Sequence, residues 1–61
     1  MSFEIGDRVK FVEDLYGGTS EAKIGMQGTV VTLDGGLVLV DLDELPGDEY
    51  EFEVEELELI V

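Results

Sequence analysis

The sequence predicts an all-β domain of five short antiparallel strands that close into a small barrel. Acidic and apolar residues alternate with period two over residues 48–58, which is the pattern of a strand with one buried face. Turn signals separate the other apolar runs, above all Asp34-Gly35-Gly36 and Pro46-Gly47. No segment has a sustained helical period, and closure into a barrel leaves few open strand edges in so small a domain.

The first half of the chain contains two predicted strands and a long loop. Residues 8–12 form the first strand, because Val9 and Phe11 share a face opposite two cations. Residues 13–27 hold glycines and polar residues without a period, so they form the longest loop, with a short turn at residues 20–23. The second strand follows at residues 29–33, where β-branched residues are frequent.

The second half of the chain contains three more predicted strands. The hairpin signal after the second strand leads into a third at residues 37–42. A turn over residues 43–48 then precedes the acidic row, which is the fourth strand. Val54 and Leu57 stand one turn apart, which predicts a short 3₁₀ turn before a last strand at residues 58–61.

Length and composition favour one folded domain over residues 1–61. A chain this short buries only about 60% of its unfolded surface, so a single core of marginal stability is expected. The hydrophobic content of 44% is too high for a disordered acidic tail. The absence of cysteine and histidine excludes disulfides, Cys or His metal ligands, thiol nucleophiles and imidazole bases. Because so small a domain has no room for a catalytic pocket, we expect neither an enzyme nor a cofactor.

The charge of the chain restricts its partners. Sixteen Asp and Glu residues against three Lys and Arg residues give a net charge of −13. Nucleic acids and anionic membranes require cationic footprints, so neither is an expected partner. The start of the sequence lacks a secretory signal, and no apolar run approaches the ~18 residues that span a bilayer. We therefore expect a cytoplasmic protein, a monomer or weak homodimer, that engages basic protein surfaces.

Short motifs along nearly the whole chain resemble a known family. The motifs are Gly6-Asp7-Arg8-Val9, Gly25-Met26-Gln27-Gly28-Thr29-Val30, Val38-x-Val40-x-Leu42 and Tyr50-x-Phe52-x-Val54-x-x-Leu57-x-Leu59-Ile60. They are similar to the SH3-like barrels of the KOW type and of the photosystem I PsaE type, which are found also in small phage and bacterial proteins. The resemblance implies a five-stranded SH3-like barrel. It also implies that Val30, rather than Val31, points into that barrel.

Two surfaces are candidate binding sites. The first is the acidic face of the fourth strand and the following turn, where regularly spaced carboxylates present a row that a nucleic-acid-binding protein could mistake for phosphates. Its residues are Glu49, Glu51, Glu53, Glu55, Glu56 and Glu58. The second is the apolar pair Leu37 and Leu39, which alternation places outside when the other apolar residues of the third strand lie inside.

Each surface also has a plain structural explanation. Charge runs are usually solvated faces, and the leucine pair could be covered by the long loop through Leu15, Tyr16 or Met26. Excess acid also keeps proteins soluble at high salt. The sequence thus supports two functions. One is a non-enzymatic module, an inhibitor or nucleic-acid mimic, that binds a basic protein through the acidic face. The other is a salt-adapted structural or accessory protein that works through Leu37 and Leu39.

Carboxylates are also dense around the predicted turn that precedes the fourth strand. Oxygen ligands of this kind suit Ca²⁺ or Mg²⁺, and the residues concerned are Asp41, Asp43, Glu44, Asp48 and Glu49. The EF-hand pattern fails here, because Leu45 and Pro46 occupy its fifth and sixth positions and the sixth requires glycine. We therefore predict no metal site.

Overall fold

The computed structural model describes residues 3–15 and 21–60, which contain five strands in one antiparallel sheet. In chain order the strands are β1 (Arg8–Phe11), β2 (Gln27–Asp34), β3 (Leu37–Leu42), β4 (Glu49–Glu53) and β5 (Leu57–Leu59). A 3₁₀ turn, Val54–Glu56, precedes β5. These observations confirm the all-β class, the antiparallel strands and the 3₁₀ turn before the last strand.

The strands lie in the order β4-β3-β2-β1-β5, so β1 has β2 on one side and β5 on the other. β5 begins one residue earlier than predicted, because Leu57 already pairs with Phe11. In the loop, the Met26 N–H donates to the Lys23 carbonyl at 3.0 Å and closes a turn later than the predicted one. The predicted turn at residues 20–23 lies partly outside the described residues. No helix of the described chain is long and apolar enough to cross a membrane.

The sheet curls around its own inner face, where the core lies. Phe11 on β1 and Phe52 on β4 are three strands apart in the sheet order, a separation of about 14 Å if the sheet were flat. Their ring centroids are only 4.8 Å apart. The buried apolar side chains are Phe3, Val9, Phe11, Ala22, Val30, Val38, Val40, Leu42, Phe52 and Leu57. No ladder joins β4 to β5 within the described residues, so closure into a barrel stays a prediction.

A β-bulge decides which side chains of β2 face the core. Val30 pairs with Val40, whereas Thr32 pairs with Leu39, so Val31 is the extra residue. Val30 is buried and Val31 only partly buried, which confirms Val30 as the inward residue. The bulge also turns Thr32 outward, because strict alternation from Val30 would have placed it inside.

Gly28 lies where the backbones of β2 and β3 approach each other most closely. A Cβ atom at this position would be 2.6 Å from the Asp41 carbonyl oxygen and 2.6 Å from Val40 Cγ1. Both distances are shorter than non-bonded contacts allow. The close approach therefore requires a residue without a side chain at position 28.

Candidate functional site

The register of β3 and β4 places the two predicted binding surfaces on the same face of the sheet. Residues directly opposite each other in an antiparallel pair share a face. Leu39 lies opposite Glu51, and Leu37 lies opposite Glu53. On its other side, Leu37 lies opposite Asp34 of β2. The apolar pair and the acidic row are therefore neighbours rather than alternative sites.

We call this surface the outer face of the sheet. Its members are Asp34, Leu37, Leu39, Asp41, Glu49, Glu51 and Glu53. The two leucines are half-buried between carboxylates that are mostly exposed. The strands β2, β3 and β4 contain no lysine or arginine. The outer face thus combines apolar area with negative charge, and no cation on these strands neutralises it.

Three of the six predicted acidic residues lie off the outer face. Glu55 is exposed but belongs to the 3₁₀ turn rather than to β4. Glu58 lies on β5, opposite Lys10, at the other edge of the sheet. Glu56 is buried, with 6% of its surface exposed. The prediction that Glu56 belongs to an exposed binding face is therefore wrong.

Glu56 instead ties the 3₁₀ turn to the chain on both sides of it. Its Oε1 accepts a hydrogen bond from the Glu53 N–H at 2.8 Å, and its Oε2 accepts one from the Leu15 N–H at 3.2 Å. The backbone carbonyl of Glu56 accepts a further bond from the Val12 N–H at 2.9 Å. Glu53 and Glu56 occupy the Ncap and N3 positions of a capping box. This carboxylate therefore has a structural role at the end of β4.

We expect Glu56→Ala to lower the free energy of unfolding by about 1 to 3 kcal/mol, because two partly buried N–H groups lose their acceptor. Glu55→Ala is the matched control, since it removes an exposed carboxylate from the same turn and is expected to change stability by less than about 0.5 kcal/mol. Urea denaturation measures both variants. Equal destabilisation by the two would contradict the structural role of Glu56.

Asp43 is engaged by an arginine outside the turn to which it belongs. The Arg8 guanidinium donates to the two Asp43 carboxylate oxygens at 3.0 and 2.6 Å and to Thr29 Oγ1 at 3.0 Å. This hydrogen bonding holds the pKa of the Asp43 carboxyl below its ordinary value. The pair is exposed, so it adds little to stability. Among the described residues, no group of three or more carboxylates is placed to hold a metal ion.

Tyr50 connects β4 to the long loop. Its hydroxyl donates a hydrogen bond to Glu21 Oε1 at 3.1 Å, and its ring packs against the core. Desolvation, followed by the bond to Glu21, raises the pKa of the Tyr50 hydroxyl above its ordinary value. No signal in the sequence indicates that Glu21 contacts β4, because the pairing of a loop residue with a strand leaves no periodic pattern.

The predicted cover of the leucine pair is described only in part. Met26 packs against the core, on the inner side of the sheet. Leu15 has 41% of its surface exposed. Tyr16, the third predicted covering residue, lies outside the described residues. Within the described chain, the half-burial of Leu37 and Leu39 is therefore accounted for by their neighbours on the sheet.

Comparison with known proteins adds no identity to this geometry. No protein-family model matches the chain, and no curated protein or solved structure matches it either. The resemblance to SH3-like barrels therefore stays a prediction from the sequence. The function of the outer face has to be inferred from its own chemistry.

Proposed function

We propose that this protein is a small, non-enzymatic binding module whose outer face engages a basic protein surface. The observation that carries the proposal is the register that sets Leu37 and Leu39 beside Glu53 and Glu51. Exposed apolar area marks interaction surfaces, and complementary charge selects the partner. A partner for this face is therefore both apolar and cationic on one side. The net charge of −13 adds long-range attraction for such a partner.

The regular spacing of the acidic row supports a more specific form of this function. Glu49, Glu51 and Glu53 follow one another at every second residue of β4, roughly 6.6 to 6.8 Å apart along the strand. A regular row of negative charges is what a nucleic-acid-binding protein recognises in a phosphate backbone. We therefore propose a cytoplasmic inhibitor or nucleic-acid mimic on an SH3-like barrel, which binds a basic protein and no nucleic acid itself.

The salt-adapted alternative uses the same face in a different way. In that case Leu37 and Leu39 make the working contacts, and the carboxylates only keep the protein soluble. The partial exposure of both leucines in the middle of a sheet favours a contact of this kind. The two functions differ in what happens when the carboxylates are reversed, because binding is lost in the first and retained in the second.

A short peptide that alternates lysine with valine tests the proposal by NMR titration. We expect amide shifts on the outer face, and we expect Glu49→Lys with Glu51→Lys to weaken binding by at least about tenfold. The matched control is Glu4→Lys with Glu44→Lys, which makes the same change in net charge at exposed positions off that face. The control is expected to weaken binding much less.

Three results would argue against the proposal. Equal weakening by both double variants would reduce the interaction to non-specific attraction by net charge. Binding that survives the reversal at residues 49 and 51 but is lost in Leu39→Ser would favour the salt-adapted function. Binding that does not weaken as the Debye length falls from about 10 Å at 0.1 M salt to about 3 Å at 1 M would exclude a charge-driven contact.

A further inference from the structure

β4 is an edge strand, and the register identifies which of its backbone groups face β3. Successive residues of a strand direct their N–H and C=O groups alternately to its two sides. The Asp43 N–H donates to the Gln27 carbonyl at 2.9 Å, so the odd-numbered residues at this end of β3 face β2. Val40 is therefore directed toward β4, where it lies opposite Tyr50. The even-numbered residues of β4 thus carry its ladder to β3.

Glu49, Glu51 and Glu53 accordingly direct their N–H and C=O groups to the free side of β4. The Glu53 N–H agrees with this assignment, because it donates to Glu56 Oε1 and not to β3. No strand of the described chain pairs with the free side. The free edge therefore presents two N–H groups, at Glu49 and Glu51, with the carbonyls between and beyond them. The acidic side chains of the outer face stand directly above this edge.

Charge argues against a second copy of the chain as the occupant of the free edge. Antiparallel pairing of β4 with β4 of another molecule would set glutamates opposite glutamates on the outer face. Like charges in directly opposite positions destabilise a strand pair. β5, the other edge strand, carries Glu58 on the face that it shares with Lys10. Pairing of β4 with β5 between molecules would therefore also bring acids together.

We infer that the free edge of β4 binds an extended, basic segment of the partner protein as an additional antiparallel strand. This inference rests on the proposed function and specifies how the partner is held. Cationic side chains of the segment lie opposite Glu49 and Glu51 on the outer face. Its alternate side chains point to the inner face beside Tyr50 and Phe52, so they are apolar. Main-chain hydrogen bonds supply affinity in this mode, and the side chains supply selectivity.

The length of the free edge limits the added ladder. Beyond Glu51, the Glu53 N–H is already occupied by the Glu56 carboxylate, and the 3₁₀ turn Val54–Glu56 ends the strand. The partner segment therefore needs only a few residues that alternate between basic and apolar. The lysine and valine peptide has this pattern and serves as the probe.

Amide hydrogen exchange measures the inferred pairing directly. We expect the N–H groups of Glu49 and Glu51 to exchange fast in the free protein and to slow by at least about tenfold when the peptide is bound. Those of Tyr50 and Phe52 are expected to be protected in both states, because β3 already pairs with them. Peptide binding without slower exchange at Glu49 and Glu51 would overturn the inference and leave the proposed function intact.

Peptides with blocked backbone groups provide an independent measurement. Methylating the lysine nitrogens removes the N–H groups that antiparallel pairing directs at β4, whereas methylating the valine nitrogens removes those directed away from it. We expect the first peptide to bind at least about tenfold more weakly than the second, because its ladder cannot form. Equal affinities would overturn the inferred strand addition alone. Failure of the unmodified peptide to bind at low salt would instead overturn the proposed function.

Discussion

Phe52→Ala is expected to lower the free energy of unfolding by roughly 3 to 5 kcal/mol, which is most or all of the stability of a domain this small. Only 2% of the Phe52 surface is exposed. Its ring lies against Phe11, and this contact holds β4 over β1 across the curled sheet. The substitution therefore removes buried apolar area and also the contact that keeps the sheet curled.

Urea denaturation followed by far-ultraviolet circular dichroism measures this loss. Glu51→Ala is the control, because it changes the neighbouring residue on the exposed face and is expected to shift stability by less than about 0.5 kcal/mol. A cooperative transition with an unchanged midpoint in Phe52→Ala would mean that β4 is shifted by one residue, since such a shift exchanges its two faces.

Gly28→Ala is expected to destabilise the protein by about 3 kcal/mol or more, at the upper end of the range for overpacking. The added Cβ would meet a backbone carbonyl, that of Asp41, at 2.6 Å. A flexible side chain could rotate away from such a contact, but this carbonyl belongs to the ladder between β2 and β3. The two strands would have to separate to admit one methyl group.

Thermal unfolding compares Gly28→Ala with Gln27→Ala. Gln27 is the preceding residue of β2 and its side chain is exposed, so truncating it is expected to have little effect. A melting temperature for Gly28→Ala that equals that of the Gln27 variant would show that β2 and β3 do not approach as closely as the structure places them.

The fold could be predicted from the sequence because its signals are local. Period-two alternation identifies β4, and Asp34-Gly35-Gly36 identifies the hairpin between β2 and β3. The bulge at Val31 could not be predicted in the same way. Val30 and Val31 are both apolar and β-branched, so neither pattern nor propensity distinguishes them. The pairing of Thr32 with Leu39 places the bulge, and that pairing is a long-range property.

The candidate site was predictable only in separate parts. The leucine pair and the acidic row each follow from alternation within one strand. Their adjacency depends on the register across the turn between β3 and β4, which the sequence does not encode locally. The prediction for Glu56 is wrong because this residue continues the acidic row in sequence but not in space. The spacing of Glu53 and Glu56 around the predicted 3₁₀ turn was the available signal, since it is the spacing of a capping box.

The pairing of β1 with β5 has a consequence for how the chain folds during synthesis. Val9 lies opposite Leu59, so the second ladder of β1 can form only after β5 has left the ribosome. Contacts between such distant residues slow folding, and strands that wait unpaired are prone to aggregate. During this interval the net charge of −13 acts between nascent chains, which repel one another before any of them is folded. The acidity of the sequence therefore protects the protein before its binding face exists.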